Sequence, residues 1–229
     1  LHLSLRRQRQ MCIRDSGASG GIGGAIADNL SKRHWDVTSL SRSFNQFDVT
    51  DENSVKAAFA SVDGPFDFIL IATGALEINS APEKSINHLS QSNMIDHFMT
   101  NAIGPAHILK HVRSFLNKKS SSVVSVLSAR VGSIEDNKLG GWYSYRAAKA
   151  ALNQIVKSFS IELSRSHPKA CLLAIHPGTV DTNLTHRYAS KHPTKTPTEA
   201  AQNILDVTLT KDSSHTGRFY DWANEEIPW

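Results

Sequence analysis

The feature that most constrains the fold of this 229-residue chain is a regular alternation of sequence patterns after residue 16. Short apolar runs, typical of buried strands, alternate with segments whose apolar residues recur every three or four positions, as in helices. The run Phe66 to Ala72 is almost entirely apolar and suits a parallel strand covered on both faces. The alternation predicts one α/β domain over residues 16–229, with a doubly wound parallel sheet of about seven strands and helices on both faces.

The boundaries of the predicted elements follow from these patterns. Strands are predicted at 37–41, 66–72, 123–127, 171–176 and 217–222. Helices are predicted from the first glycines through Leu30, from a Thr50 cap through Phe59, at 85–99, at 102–116, around Tyr145, and at 198–210. A capping box, Thr196-Pro197-Thr198-Glu199, indicates the start of the last helix.

Residues 1–15 interrupt this pattern where the fold needs an apolar strand. The chain offers Met11-Cys12-Ile13-Arg14-Asp15, and an unpaired charge buried in a central strand costs several kcal/mol. Either the strand forms poorly or these residues do not belong to the native domain. We favour the second interpretation, a non-native or disordered segment similar to a translated linker, with a genuine basic arm as the alternative.

The distribution of charge argues against nucleic acid as a partner. The net charge is +4, but Arg6, Arg7, Arg9 and Arg14 against Asp15 carry a net +3, so the rest of the chain carries +1. A domain that binds a phosphate backbone concentrates Lys and Arg on one face with interleaved aromatic residues, and no such stripe follows residue 16.

Other compositional features exclude several further classes. The chain has no run of about 18 apolar residues and no secretion signal, which predicts a cytoplasmic protein without a membrane span. The two cysteines, Cys12 and Cys171, are far apart, and the 11 histidines never fall into a metal-ligand spacing with cysteines or carboxylates. Neither a disulfide nor a metal site is predicted.

Tyr145 and Lys149 are the first candidate catalytic pair. Their four-residue spacing on a helix places the phenol and the ammonium on one face. A neighbouring cation favours the phenolate and lowers a tyrosine pKa from about 10, which makes the side chain a usable acid or base. On this spacing alone, the alternative is an ordinary exposed helix face.

A glycine-rich turn lies where a strand should lead into the first helix. The segment from Ser16 to Gly23 allows a tight turn, and its amides can approach a pyrophosphate closely. The residues predicted to contact the cofactor here are Gly17, Ser19, Gly21, Ile22 and Gly23. A flexible connection is the alternative for a lone glycine-rich segment.

The end of the second strand distinguishes between dinucleotides. An acidic residue there would bind the adenosine ribose, whereas Ser41 and Arg42 offer a hydroxyl and a guanidinium. We therefore expect NADP(H) to be favoured over NAD(H). Asp48 and Val49, placed at the next strand, would hold the adenine edge, unless Asp48 is simply a helix cap.

The order of motifs resembles the short-chain dehydrogenase/reductase family over residues 16–229. The matching features are the glycine turn, Ala72-Thr73-Gly74, Asn101, Ser128, Tyr145 with Lys149, and Pro177-Gly178. Within the family, residues 127–133, 140–146 and 227–229 are similar to the bacterial C-factor-like subgroup. The resemblance implies a Rossmann-type fold and an NADP(H)-dependent oxidoreductase that transfers a hydride between the nicotinamide and a carbonyl or alcohol.

The same resemblance implies a catalytic tetrad. Asn101 would hold a water that relays protons from Lys149, and Ser128 would bind the substrate oxygen. Tyr145 would act as general acid/base, and Lys149 would lower its pKa and bind the nicotinamide ribose. Ser125 is a weaker alternative to Ser128. The segment between Ser128 and Tyr145 is longer than in many family members.

Further residues are assigned by their surroundings in the motif. Tyr143 has Ala147 four positions later and so lacks a cation; with Trp142 it is assigned to a substrate wall or to packing. The resemblance places four residues around the nicotinamide carboxamide, with a plain Pro-Gly turn as the alternative: Pro177, Gly178, Val180 and Thr182. Ala72, Thr73 and Gly74 stand where the family usually has a second Asn, and their small size permits close cofactor approach.

The expected partners are a small-molecule carbonyl or alcohol substrate and further copies of the chain. Residues 181–195, expected to cover the substrate, are polar and rich in His and Thr, which predicts an open pocket and disfavours a large sterol. The family implies a homodimer or homotetramer packed through the long helices. An alternative function is intercellular signalling or nucleotide sensing, as in C-factor-like proteins that retain the fold.

Overall fold

A computed structural model describes residues 9–14, 20–182 and 194–229. Within these residues, six strands form one parallel sheet in the order β2-β1-β3-β4-β5-β6. The strands are β1 Arg9–Arg14, β2 Asp36–Leu40, β3 Phe68–Ala72, β4 Ser122–Leu127, β5 Ala170–His176 and β6 Arg218–Asp221.

The described helices connect these strands. They are α1 Gly20–Lys32, α2 Arg42–Asn45, α3 Glu52–Ala60, α4 Gln91–Phe98, α5 Gly104–Val112, α6 Tyr143–Ser166 and α7 Pro197–Thr208. A π-helical segment, Met99–Ile103, joins α4 to α5, and a short 3₁₀ turn, Arg130–Gly132, follows β4.

Strand β3 shows why helices cover both faces of the sheet. Its five residues are all buried, and successive side chains point to opposite faces. Ile69 and Ile71 pack in a cluster with residues of α3, α5 and α6, whereas Phe68 and Leu70 pack in a second cluster with residues of α1 and α7. Full burial of such a side chain contributes about 1.5–3 kcal/mol. The predicted doubly wound α/β fold is confirmed.

The segment Arg9–Arg14 forms a strand despite its charged sequence. It is β1, an interior strand that pairs with β2 on one side and with β3 on the other. The structure thus describes a strand at residues 9–14, and the interpretation of residues 1–15 as a non-native or disordered segment stays a prediction. Residues 1–8 and 15–19, which include the candidates Gly17 and Ser19, lie outside the described residues.

Residues 46–51 contain no strand, although one was expected at Asp48 and Val49, and residues 49 and 50 form a turn. The Asp48 carboxylate accepts hydrogen bonds from the Thr50 amide at 2.9 Å and the Thr50 hydroxyl at 2.7 Å, which closes the turn. Helix α3 is capped by Asp51, not by Thr50, and Asp51 accepts from the Asn53 amide. The described part of the chain thus holds six strands, where about seven were expected.

Helix boundaries elsewhere follow the capping residues. Helix α4 starts at Gln91, later than predicted, because the Ser90 side chain caps it. The capping box predicted before α7 is present, with Thr196 and Glu199 bonded reciprocally. No helix among the described residues is long and apolar enough to cross a membrane.

Candidate active site

A cavity of about 580 Å³ opens at the carboxyl ends of β4 and β5, beside the start of α6. This is the edge at which ligands of parallel α/β sheets bind. The predicted residues that line it are Ile22, Ser128, Tyr145, Pro177, Gly178, Val180 and Thr182. The structure therefore brings two members of the predicted tetrad together with the proposed nicotinamide-contacting segment.

Lys149 lies behind Tyr145 on α6 and is almost fully buried, at 3% exposure. Its ammonium donates to the Leu127 carbonyl at 3.1 Å and lies 6.0 Å from the centre of the Tyr145 ring. Burial lowers the pKa of Lys149 to about 8, because water no longer solvates the charge.

The Tyr145 pKa differs from the sequence-based expectation. Burial raises this pKa above its usual value, whereas the nearby Lys149 was expected to lower it. The physical reason is that desolvation of the phenolate dominates, while Lys149 is held by the Leu127 carbonyl. Tyr145 therefore holds its proton at neutral pH.

Asn101 occupies the π-helical segment between α4 and α5 and is fully buried. Its amide oxygen accepts from the Ala75 amide, and its amide nitrogen donates to the Ala75 carbonyl, both at 2.9 Å. The same nitrogen lies 3.2 Å from Nδ1 of His97. This bulge in the helix, a feature often found at functional sites, fixes Asn101 against the loop after β3.

Gly74 allows that loop to approach Asn101 and Lys149 closely. A Cβ on Gly74 would lie 2.9 Å from Asn101 Oδ1 and 3.2 Å from Lys149 Nζ. Its φ of +148° is also one that a residue with a side chain rarely adopts. Gly74 therefore lies within a few ångströms of both polar groups, which places Asn101 and Lys149 near each other.

Ser128 directly follows β4 and is 4% exposed. Its hydroxyl donates to Asn153 Oδ1 at 2.6 Å, and its backbone amide donates to the Ile175 carbonyl at 2.8 Å. Ser125 is fully buried within the strand, and it does not line the cavity. The geometry favours Ser128 over Ser125.

Trp142 and Tyr143, which the sequence assigned together, lie in different environments. Trp142 lines the cavity, and its ring contacts the Tyr145 ring edge-on at 6.3 Å between centres. Tyr143 is the first residue of α6 and does not line the cavity. The assignment of a substrate wall therefore suits Trp142, and that of packing suits Tyr143.

Glu83 is a buried residue that the sequence patterns did not single out. Its carboxylate accepts from the Ser144 hydroxyl, the Ser144 amide and the Asn93 side chain, and its carbonyl accepts from the Trp142 amide. It thereby caps α6 from a distant part of the chain, because Trp142 provides no side-chain cap. Burial opposes ionisation, but these hydrogen bonds prevail and lower the pKa of Glu83.

His176 was also missed as a residue of the site. It ends β5 and lines the cavity, and its Nδ1 is buried without a hydrogen-bond partner among the described residues. Burial, with a smaller contribution from the nearby Arg130 cation, lowers the pKa of His176 to about 4, so the ring is neutral at pH 7. Arg130 itself is held by Asp221 at 2.8 Å and by Asp136 at 3.2 Å.

The residues predicted to bind the adenosine half of the dinucleotide lie away from the Tyr145 cavity, in the segment that follows β2. Ser41 is buried, and its hydroxyl lies 3.3 Å from the Ser43 hydroxyl. Arg42 is half exposed and lies 3.7 Å from the Asp48 carboxylate, while Val49 is fully buried in the core. These four candidates do not line the cavity that contains Tyr145.

Described residues between the Tyr145 cavity and the end of β2 suit the binding of a dinucleotide. The helix dipole gives the amino end of α1 a partial positive charge, which favours an anion. No acidic side chain in the first turn of α1 opposes this. A Cβ on Gly21 would lie 2.9 Å from the Thr182 side chain, so the start of α1 packs closely against that segment and a larger residue would clash. Ala72 and Thr73 are buried at the end of β3, and the Thr73 hydroxyl has no partner among the described residues. Gly23 is buried one turn into α1.

Comparisons with known proteins identify the family of this chain. A family profile described as Enoyl-(Acyl carrier protein) reductase matches residues 37–215. The chain is 30% identical to 1-hydroxy-2-glutathionyl-2-methyl-3-butene dehydrogenase of Rhodococcus sp. (strain AD45), covering 80% of this chain and 78% of the relative. It is also 30% identical to the C-signal of Myxococcus xanthus, over 72% of this chain and 94% of that protein.

A solved structure shows the same fold. It is a putative short-chain dehydrogenase/reductase from Burkholderia multivorans with bound NADP, with a TM-score of 0.76 and 23% identity. The match covers 97% of this chain and 100% of that one. With the family profile and the two relatives, it confirms the resemblance on which the site was predicted. The chain belongs to the short-chain dehydrogenase/reductase family of oxidoreductases.

Proposed function

We propose that this protein reduces a small carbonyl compound with NADPH, and that Tyr145 is the proton donor. The observation that carries the proposal is the shared cavity of Ser128 and Tyr145, with Lys149 and Asn101 buried behind it. The Rhodococcus relative is named as a dehydrogenase of a hydroxy compound, which supports carbonyl and alcohol chemistry in this chain as well.

Each residue has a role that its environment suits. When bound, the nicotinamide supplies the hydride that reduces the carbonyl carbon. Tyr145 gives its phenolic proton to the carbonyl oxygen, and its raised pKa keeps that proton in place at neutral pH. Ser128 donates a hydrogen bond to the same oxygen as negative charge develops. Lys149 returns a proton toward Tyr145, and a pKa of about 8 suits a group that gains and loses protons near neutral pH.

The preference for NADPH rests on Arg42. A guanidinium after β2 suits a ribose phosphate, and the exposed half of this side chain is accessible to a ligand. The NADP bound in the Burkholderia structure supports the same cofactor. Residues 183–193, which make up most of the segment expected to cover the substrate, lie outside the described residues.

The proposal is tested first by cofactor binding and then by turnover. NADPH and NADH are titrated in parallel by nicotinamide fluorescence, and a panel of aldehydes, ketones and diketones follows. Tyr145→Phe should bind NADPH normally but lose about 10²–10⁴-fold in kcat. Tyr143→Phe, the matched control two residues away, should keep nearly full activity. Full activity in Tyr145→Phe, or no binding of either nucleotide, contradicts the proposal.

A second candidate function is signalling, which the similarity to the Myxococcus C-signal favours. The chain contains all four tetrad residues. Turnover requires these residues, whereas nucleotide sensing does not. A biological effect that survives Tyr145→Phe in cells, alongside lost turnover, would favour signalling. Loss of both together favours the enzyme.

Self-association through the long helices is also proposed. Ile95 of α4 and Ile161 of α6 are 51% and 50% exposed on two helices that pack together. A contact between subunits through these helices would cover both side chains and remove their apolar surface from water. Sedimentation should show a dimer or tetramer that Ile161→Glu weakens, and a monomeric wild type contradicts this.

A further inference from the structure

Asn153 contacts Ser128 from the helix that carries the other catalytic groups. Asn153 lies four positions after Lys149 and eight after Tyr145, so the three side chains share one face of α6. Asn153 is 3% exposed, and its Oδ1 accepts the Ser128 hydroxyl at 2.6 Å. The orientation of the Ser128 hydroxyl therefore depends on α6.

This hydrogen bond conflicts with the role of Ser128. A serine hydroxyl has one proton, and here it is donated to Asn153. The hydroxyl therefore cannot donate to a substrate oxygen at the same time. For Ser128 to stabilise developing negative charge, its proton must turn toward the cavity.

The other end of the Asn153 amide supplies a way to release that proton. Asn153 Nδ2 is buried and has no hydrogen-bond partner among the described residues. A half-turn of the amide would place Nδ2 beside the Ser128 oxygen, so that Asn153 donates and Ser128 accepts. One amide atom lacks a partner in either orientation, so the turn creates no additional unpaired amide group.

We propose that Asn153 is a positioning residue that sets the direction of the Ser128 hydroxyl. Its amide accepts the hydroxyl proton when no substrate is bound, and it donates to Ser128 when a substrate oxygen takes that proton. The inference rests on the proposed carbonyl reduction, because it assigns Ser128 the substrate oxygen.

Asn153→Asp is the discriminating variant. A carboxylate has nearly the shape of the amide but only accepts, so it holds the hydroxyl proton away from substrate. With nitrobenzaldehyde and NADPH, kcat should fall at least tenfold, while the fluorescence-measured Kd for NADPH stays unchanged. Activity should recover in part as pH falls, because the protonated carboxyl can donate. Gln154→Glu, an exposed amide-to-acid change on the same helix, should match wild type.

A double-mutant cycle tests whether Asn153 acts through Ser128. In a Ser128→Ala background, Asn153→Asp should cost less than twofold further, since no hydroxyl remains to orient. If Asn153→Asp does not fold, Asn153→Ala replaces it in the test. Asn153→Ala should lower kcat without any recovery at low pH. Multiplicative losses in the cycle, or a pH profile in Asn153→Asp that matches wild type, would overturn the inference. Absence of NADPH binding or turnover in wild type would instead refute the proposed function.

Discussion

Gly132 packs directly against the backbone of Lys149. A Cβ on Gly132 would lie 2.8 Å from both the carbonyl carbon and the Cβ of Lys149, closer than non-bonded carbon atoms approach. The turn Arg130–Gly132 therefore packs on α6 at the level of Lys149, the predicted catalytic lysine. This contact positions Ser128, two residues before the turn, against the helix that carries Tyr145.

Gly132→Ala should consequently lower the catalytic rate while the protein still folds and binds NADPH. The added methyl group pushes the turn away from α6. If Ser128 and Tyr145 act as proposed, a displacement of about 1 Å between them can cost roughly 10²-fold in rate. We expect kcat to fall about 10–100-fold while NADPH binding persists. Gly140→Ala adds the same group where no atom lies within 4 Å, although its φ of +64° strains the backbone. Comparable kcat losses in both variants would contradict the positioning role.

Lys149 should make the protein more stable as pH rises from about 8 to about 10. Its pKa is about 8 in the folded protein and 10.5 as the ordinary value, so the unfolded chain binds more protons in this range. The free energy of unfolding then increases with pH by up to about 1.4 kcal/mol per pH unit. Denaturant unfolding of wild type and Lys149→Met at the two pH values isolates this contribution. An equal pH dependence of the free energy of unfolding in both proteins would exclude this contribution of Lys149.

Glu83→Gln should destabilise the fold by about 1–3 kcal/mol, because a buried carboxylate that accepts several hydrogen bonds is lost. The folded pKa of Glu83 is lowered, so its contribution is present above its ordinary pKa of 4.5 and is lost as pH falls. The difference from wild type should shrink in acid. Glu162→Gln, which breaks an exposed pair with Arg113, should cost less than about 1 kcal/mol. Urea unfolding measures both, and equal costs would argue against the cap.

Arg42→Ala should raise the Kd for NADPH about tenfold or more and leave the Kd for NADH nearly unchanged. A charged hydrogen bond to a phosphate contributes about 1.5–3 kcal/mol, and NADH lacks that phosphate. Fluorescence titration of both nucleotides with both proteins measures the effect, and NADH is the internal control. An equal loss of affinity for both nucleotides would assign Arg42 to the shape of the turn with Asp48 instead.

Residue-type patterns were sufficient where the determining interactions are local. The all-apolar run in β3 predicted a strand buried on both faces, and the Thr196 capping box predicted the start of α7 within one residue. Asp48 shows the limit of this reasoning. Its position suggested a strand, but hydrogen bonds with Thr50 close a turn there, and a single sequence does not distinguish these outcomes.

The sequence by itself determined the doubly wound α/β fold and the four-residue spacing of Tyr145 and Lys149, because periodicity and helix geometry act over short distances. Only the tertiary structure decided that burial raises the Tyr145 pKa, that Glu83 caps α6 and that Asn153 binds Ser128. Each of these depends on groups far apart in the chain, whose proximity and desolvation arise only when the sheet and α6 pack together.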